Sequence, residues 1–371
     1  MRSKDNKTNI TILYYHSVAN HQKKSNWSFL STPIKVFQSQ IDYLVKHQFY
    51  ACSWNELYEH TQGIKKLPNK TVMFHFDDGF LDNWSVVFPI MKKAGFKYSV
   101  LLTPEFIQEG EVRPFVAETN ESNKSAWWGY LNKKEIRKMS ESGLVDFAAH
   151  GYTHTWFESS DKLIDIYDGT NFYPHLSWNL FPEKKPYWLI EEFTAPLGYP
   201  VFEYKKSLEL KKRFIPDRAF IDEIVDLFSS VKDKHEIMKR AKMILGKYKS
   251  ENKHGRYETL EEKEMRIKRE LLLSKEILED IIGKPINYFV FPGGGSSKEV
   301  LKLCREFGFK LVSGCRGGNR FNSKIYQVDR YSGTYTFPLF KSFLNKMFLK
   351  LQLLRSRENQ IVLLLYKFLR R

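Results

Sequence analysis

Short apolar runs alternate along this chain with stretches whose apolar residues recur every three or four positions. The first kind predicts buried strands and the second amphipathic helices. "NITILYYHSV" (9–18) reads as a strand ending at His16. "TPIKVFQSQIDYLVKHQF" (32–49) places Phe37, Ile41, Leu44 and Val45 at helical spacing, with Thr32 as cap and Pro33 at the first position. "KTVMFHFDDG" (70–79) is a second strand. "DNWSVVFPIMKKAG" (82–95) is a helix capped by an Asp or Asn and closed by Gly95, and "FKYSVLLTP" (96–104) a third strand. A helix over 132–142 and a strand over 144–149 follow. Beyond a long interruption come an amphipathic helix (260–283), a strand (286–295), a helix (297–308) and a strand (309–314). This alternation predicts an α/β fold with parallel strands and right-handed crossovers. Functional groups in such folds collect at the carboxyl ends of the strands.

The interruption, 156–262, breaks the rhythm with "FYPHLSWNLFPEKKPYWLIEEFTAPLGYPVFEY" and a polar helical stretch at roughly 217–246. It reads as one large insertion, in part a lid. The tail, 337–371, repeats Phe340, Phe343, Leu344, Met347, Phe348 and Leu351 at helical spacing. From 338 onward it carries eight Lys or Arg and one acid, Glu358. Two readings fit it: a basic amphipathic helix on an anionic membrane surface, or a terminal helix packed on the fold or on a second subunit.

Length and charge add bounds. The 371 residues are 42% hydrophobic, enough for one large domain or two modest ones. A net charge of +16 suits an anionic partner or a merely solvated basic surface. The basic residues are scattered and no nucleic-acid-binding signature occurs, so nucleic acid is not expected as a partner. Cys52, Cys304 and Cys315 form no C-x-x-C pair, which reads as a reducing compartment. The amino terminus lacks the apolar core of a signal peptide, and nowhere do about 18 apolar residues run together. A cytoplasmic protein is expected, with peripheral attachment at the inner face of the cell membrane as a variant of that expectation.

Two motifs carry chemistry. In "FHFDDGF" (74–80), adjacent carboxylates end an apolar strand. Like charges this close raise a pKa unless a cation compensates. A metal held by one would free the other to act as a base; a turn-capping pair is the plainer reading. In "AAHGYTHT" (148–155), His150 and His154 also follow a predicted strand. An Asp, His and His set with open positions is a catalytic metal arrangement. Either histidine alone reads as an ordinary polar residue, but their shared rim favours the joint metal reading.

These segments resemble the polysaccharide deacetylase (NodB-like carbohydrate esterase) family. "ILYYHSV", "FQSQIDYLVKHQFYACSWNEL", "MFHFDDGFLDNWSVVFPIMKKAGFKYSVLLTPEFI", "LVDFAAHGYTHTW" and "YFVFPGGGSSKEVLKLCREFGFKLVSG" resemble its successive blocks, in order. The resemblance implies a deformed (β/α) barrel of about seven parallel strands. The barrel would comprise 8–155 and 284–336, with the insertion at 156–262, a barrel helix at 263–283 and the helical tail at 337–371. It implies Asp77 as general base and a divalent ion, usually zinc, on Asp78, His150 and His154. It implies hydrolysis of an acetyl group, chiefly N-acetyl, on a sugar; the aromatic insertion, which could stack on sugar faces, and the basic tail point to an acetylated surface glycan or its lipid-linked precursor as the substrate. Pro292, Gly293 and Gly294 would face the substrate, with an ordinary turn as the alternative for the glycines. The alternatives in function are hydrolysis of another small-molecule C–N bond, or a catalytically weak glycan-binding relative.

The chain departs from the family pattern in three places. His75 stands where Thr is usual, and could orient Asp77 or fill the core. The arginine that pairs with the base is not evident in "KPINYFVFP". The late histidine that serves as general acid is missing, and "YQVDRYSG" (326–333) stands near its place. His16, His175 or a histidine that also binds the metal could supply the proton, and Arg213 with Asp217 could replace the lost charge partners if the insertion folds over the rim.

Overall fold

The computed structural model describes residues 10–20, 28–116, 128–191, 193–209, 211–231, 233–314 and 326–333, with 349–350 and 352–353. Cys315 and nearly all of the basic tail lie outside the described residues. No helix among those described is long and apolar enough to cross a membrane.

A nine-stranded sheet organises the molecule, every neighbouring pair parallel. Eight strands form a continuous row: Gln327–Val328, Leu311–Ser313, Tyr288–Val290, Val145–Ala149, Tyr98–Leu102, Thr71–Phe76, Thr11–Tyr15 and Tyr331–Ser332. Tyr50–Ala51 pairs beside Thr71–Phe76. The two edge strands are nearly consecutive in sequence. Val328 pairs with Ser313 at one edge and Tyr331 pairs with Leu13 at the other. Only Asp329 and Arg330 lie between them, and three Cα steps span at most about 11 Å. Adjacent strands lie about 4.8 Å apart, so the row must curl until its edges nearly meet. That is the deformed barrel, with two more strands than expected because two-residue strands carry no readable periodicity.

Strand residues alternate between the inside and the outside of the curl. Ile12, Met73, Leu101, Ala148, Val290, Leu311 and Val328 share one buried cluster, whereas Leu13, Phe74, Val100, Phe147, Phe289 and Val312 share the cluster that packs with the surrounding helices. Buried on both faces, Thr71–Phe76 is apolar throughout except at its first residue and His75.

Two expected caps differ. The first helix runs Ile34–Lys46 with Pro33 as its N-cap residue and no side-chain cap, because Thr32 is drawn into a short strand against Val18. Asp82 does not cap the helical segment that follows it: its carboxylate accepts from the Ser17 hydroxyl at 2.5 Å and the Val18 N–H at 3.0 Å. In the insertion, strands Trp156–Ile166 and Pro200–Lys206 form an antiparallel hairpin. Helices Arg218–Ser230 and Lys234–Ser250 pack with it through a cluster that includes Phe202, Phe220 and Ile237.

Candidate active site

Alternation predicts which residues crown the interior column. Beyond Met73 lie His75 and Asp77; beyond Ile12, Tyr14 and His16; beyond Ala148, His150; beyond Val328, Arg330. Ladder hydrogen bonds fix several of these just past their strands. The Asp77 N–H donates to the Tyr15 carbonyl and the His150 N–H to the Leu102 carbonyl, each at 2.9 Å. Asp78 would face the helices if the strand continued. Its φ of 71° and that of Gly79, 68°, end the alternation in the left-handed region. A non-glycine residue pays on the order of 1–3 kcal/mol to sit there, a strain that gathers at functional sites.

This turn brings Asp78 Oδ1 to 3.1 Å from His154 Nε2 and 3.5 Å from His150 Nε2. The three side chains offer donor atoms within 4.8 Å of one another. Asp78 Oδ1 is buried and makes no well-aligned hydrogen bond. Burial works against the Asp78 charge, but His154, His16 and His150 hold its carboxyl well below the usual range. His150 donates from Nδ1 to the Val290 carbonyl at 2.7 Å, which leaves the Nε2 lone pair directed at Asp78. Burial pushes the His150 imidazole down to about 4, so it is neutral at pH 7. A neutral imidazole, as at His150, and an ionised carboxylate are the forms that bind a divalent cation. At His154 burial is outweighed by the Asp78 charge, which raises the imidazole pKa; a cation bound there would take the place of that proton, so the donor set fits a metal.

Asp77 is satisfied instead. Arg330 Nη1 and Nη2 grip its two oxygens at 2.6 and 3.0 Å. Burial opposes the Asp77 charge; Arg330, then His150 and His16, keep the carboxyl below its ordinary value. His16 Nε2 stands 3.9 Å from Asp77 Oδ2 with its side chain 22% exposed, on the open side of the site. The Asn83 amide donates to the His16 carbonyl at 3.0 Å, and Asp82 ties down the next two residues, so this histidine is held by its backbone.

Arg213 does not join this cluster. Its guanidinium lies 4.0 Å over the Phe157 ring, and its Nε is 3.7 Å from Glu158, because its segment pairs with 255–257 inside the insertion. The partner sought for Asp77 is Arg330, from "YQVDRYSG". Asp217 caps helix Arg218–Ser230, and His175, pushed down to about 4 by burial, packs with its ring centre 4.3 Å from that of Tyr204. His75 is a core residue: it is fully buried against Trp54, and neither ring nitrogen has a hydrogen-bond partner.

Pro292 and Gly293 lie at the rim, but the insertion already occupies the approach to Gly293. Lys206 Nζ donates to the Gly293 carbonyl at 2.6 Å, and a Cβ on Gly293 would fall 2.7 Å from Lys206 Cε. Gly294, φ 75°, completes the turn. Sequence reasoning also missed Glu270, buried in helix 260–282. Its carboxylate accepts from the N–H groups of Tyr152 and Thr153 at 2.9 and 3.1 Å and from the Thr153 hydroxyl at 2.5 Å. It therefore holds the loop between the two histidines.

A family model described as polysaccharide deacetylase matches residues 64–170 and 232–312, just over half of the chain. The putative polysaccharide deacetylase YxkH of Bacillus subtilis (strain 168) is 28% identical over 145 residues, 39% of this chain and 43% of the relative's length. A de-N-acetylase from Aggregatibacter actinomycetemcomitans superposes with a TM-score of 0.56 at 16% identity, covering 88% of this chain and 97% of that one. The BpsB deacetylase domain of Bordetella bronchiseptica gives 0.51 at 14% identity, covering 87% and 95%. At these identities the structural matches establish the shared barrel fold.

Proposed function

The chain belongs to the polysaccharide deacetylase family, and we propose that it hydrolyses N-acetyl groups on a sugar of a surface glycan or of its lipid-linked precursor. One observation carries this reading above the others. Asp78 Oδ1 is buried, lacks a hydrogen bond and faces two imidazole Nε2 atoms, beside a second carboxylate whose charge is already balanced. Asp78, His150 and His154 would hold a divalent ion, zinc being the usual one in the family. When bound, the ion supplies Lewis-acid polarisation of the acetyl carbonyl and of a water. Asp77 accepts the proton of the attacking water, and Arg330 keeps that carboxylate ionised and aimed. His16, half-open to solvent and 3.9 Å from Asp77 Oδ2, delivers a proton to the departing nitrogen. The C–N bond breaks, acetate takes the water oxygen and the sugar keeps a free amine.

The same reading makes 8–155 and 284–336 the catalytic barrel, 263–283 its helix and 156–262 the lid. The described part of the tail packs on the barrel, with Leu349 buried in its main core cluster and the Gln352 amide donating to the Ser332 carbonyl at 3.2 Å; the basic residues of the remainder of 338–371 would meet an anionic membrane at the cytoplasmic face, near lipid-linked substrates. The test is elemental analysis of the purified protein together with acetate release from N-acetylated glycans, for wild type and Asp78→Ala. One equivalent of metal and acetate release in wild type, both lost in Asp78→Ala, is the expected result. Stoichiometric metal without acetate from any glycan or lipid-linked sugar rejects the reaction, and full metal content in Asp78→Ala rejects the ligand set.

A further inference from the structure

His154 has a left-handed φ of 48°, and such a residue keeps that conformation only where its surroundings over-determine it. Its neighbour Thr153 is held on three sides. Glu270 takes the Thr153 N–H and hydroxyl. The Thr153 carbonyl, at the peptide joining it to His154, accepts from Lys185 Nζ at 2.7 Å. Lys185 belongs to the insertion, on the short 3-10 turn Pro182–Tyr187, and its side chain is 1% exposed. Its ammonium also meets Glu105 Oε2 at 2.5 Å, while the rings of Trp178 and Phe106 lie 5.6 and 5.9 Å away. The turn is pinned a second time, where the Gln108 amide donates to the Pro186 carbonyl at 2.7 Å. Arg269 reaches the other Glu105 oxygen at 3.1 Å, so the acid sits between two cations.

Burying a lysine this completely is costly unless its charge is paired and its donors find acceptors. A lid that only covered the rim would need no such group. We infer that Lys185 is a positioning residue for the metal site: the insertion reaches under the rim and fixes the carbonyl of Thr153, which sets the direction of the His154 imidazole. The insertion is thus part of the ligand geometry itself. The inference rests on the ligand set proposed above. Partners that orient a ligand from behind contribute about 10- to 100-fold to metal affinity.

The test uses the full chain as wild type, Lys185→Met and His154→Ala. Zinc dissociation constants are measured by chelator competition, visible spectra on the cobalt-substituted proteins, and thermal melting on the metal-free ones. Methionine matches the length of lysine and suits a slot between aromatic rings, so the metal-free fold is expected to persist. The expected result for Lys185→Met is zinc binding weakened about 10- to 100-fold with shifted cobalt bands. A constant changed less than threefold overturns the inference, whatever happens to the melting temperature, because a merely structural lysine would move only the latter. If Lys185→Met does not fold, Glu105→Gln decides in the same assay: threefold weakening or more supports the inference, and less overturns it. Wild type that takes up no zinc, or His154→Ala that binds it as tightly as wild type, overturns the ligand set and this inference together. Normal wild-type binding with an unchanged Lys185→Met overturns the role of Lys185 alone.

Discussion

Asp77 and Asp78 are adjacent in sequence, both buried and both flanked by histidines, yet their pockets are built on opposite plans. The Asp77 pocket is electrically complete: a guanidinium fork satisfies both oxygens. The Asp78 pocket is incomplete, with a buried oxygen facing two nitrogens and no aligned donor. A left-handed turn at one residue separates the two environments. Two neighbouring carboxylates can therefore take different work, provided that the backbone sends them to different walls and only one wall carries its own cation.

The largest effect should come from removing the charge of the completed pocket. Asp77→Asn is expected to lower kcat/KM for acetate release about 1,000-fold while metal content stays at the wild-type level. Loss of metal in that variant would break the contrast, since Asp77 would then be a ligand too. Next in size is Arg330→Met, which strands a buried carboxylate. We expect about 3–5 kcal/mol less folding stability by denaturant titration. In the Asp77→Asn, Arg330→Met double variant the loss should fall well below the sum of the two single losses. Additivity would sink the idea that the two residues act as one unit.

The smallest effect concerns Asp82, which ties down the segment carrying His16. Burial, working against donors from Ser17, Val18 and Asn83, pushes its carboxyl up to about 7. A carboxyl whose folded value lies above its unfolded value stabilises the fold at low pH, and that contribution disappears as pH rises through the folded value. Wild type should therefore lose stability relative to Asp82→Asn between about pH 4 and pH 8, by at most a few kcal/mol. Melting curves across that range would show the gap between the two proteins moving with pH; a constant gap would count against the assignment.

Local signals made the grouping of Asp78, His150 and His154 readable. "DDG" and "HGYTH" stand at strand ends, and the period of two along "KTVMFHFDDG" puts His75 and Asp77 on one face. The same alternation laid out most of the barrel. What stayed hidden depends on closure. Arg330 lies 253 residues from Asp77, on a two-residue link between strands too short to show any period. A search beside the Pro-Gly motif, or among the charges of "KKRFIPDR", could not reach it. Lys185 and Glu270 were hidden for another reason. Charges in "PEKKPY" and on an amphipathic helix look like solvated surface until tertiary packing buries them.

The seam also sets an order of events during synthesis. Chains fold from the amino terminus as they emerge, so Asp77 leaves the ribosome long before its guanidinium. Until residues 326–333 arrive, the last strands cannot close the curl and the base has no counter-charge, so a carboxyl buried there would be held as the neutral acid. If Asp77 is the base, as proposed, every shorter nascent chain would lack catalytic competence, which would be gained in the step that joins the two edges.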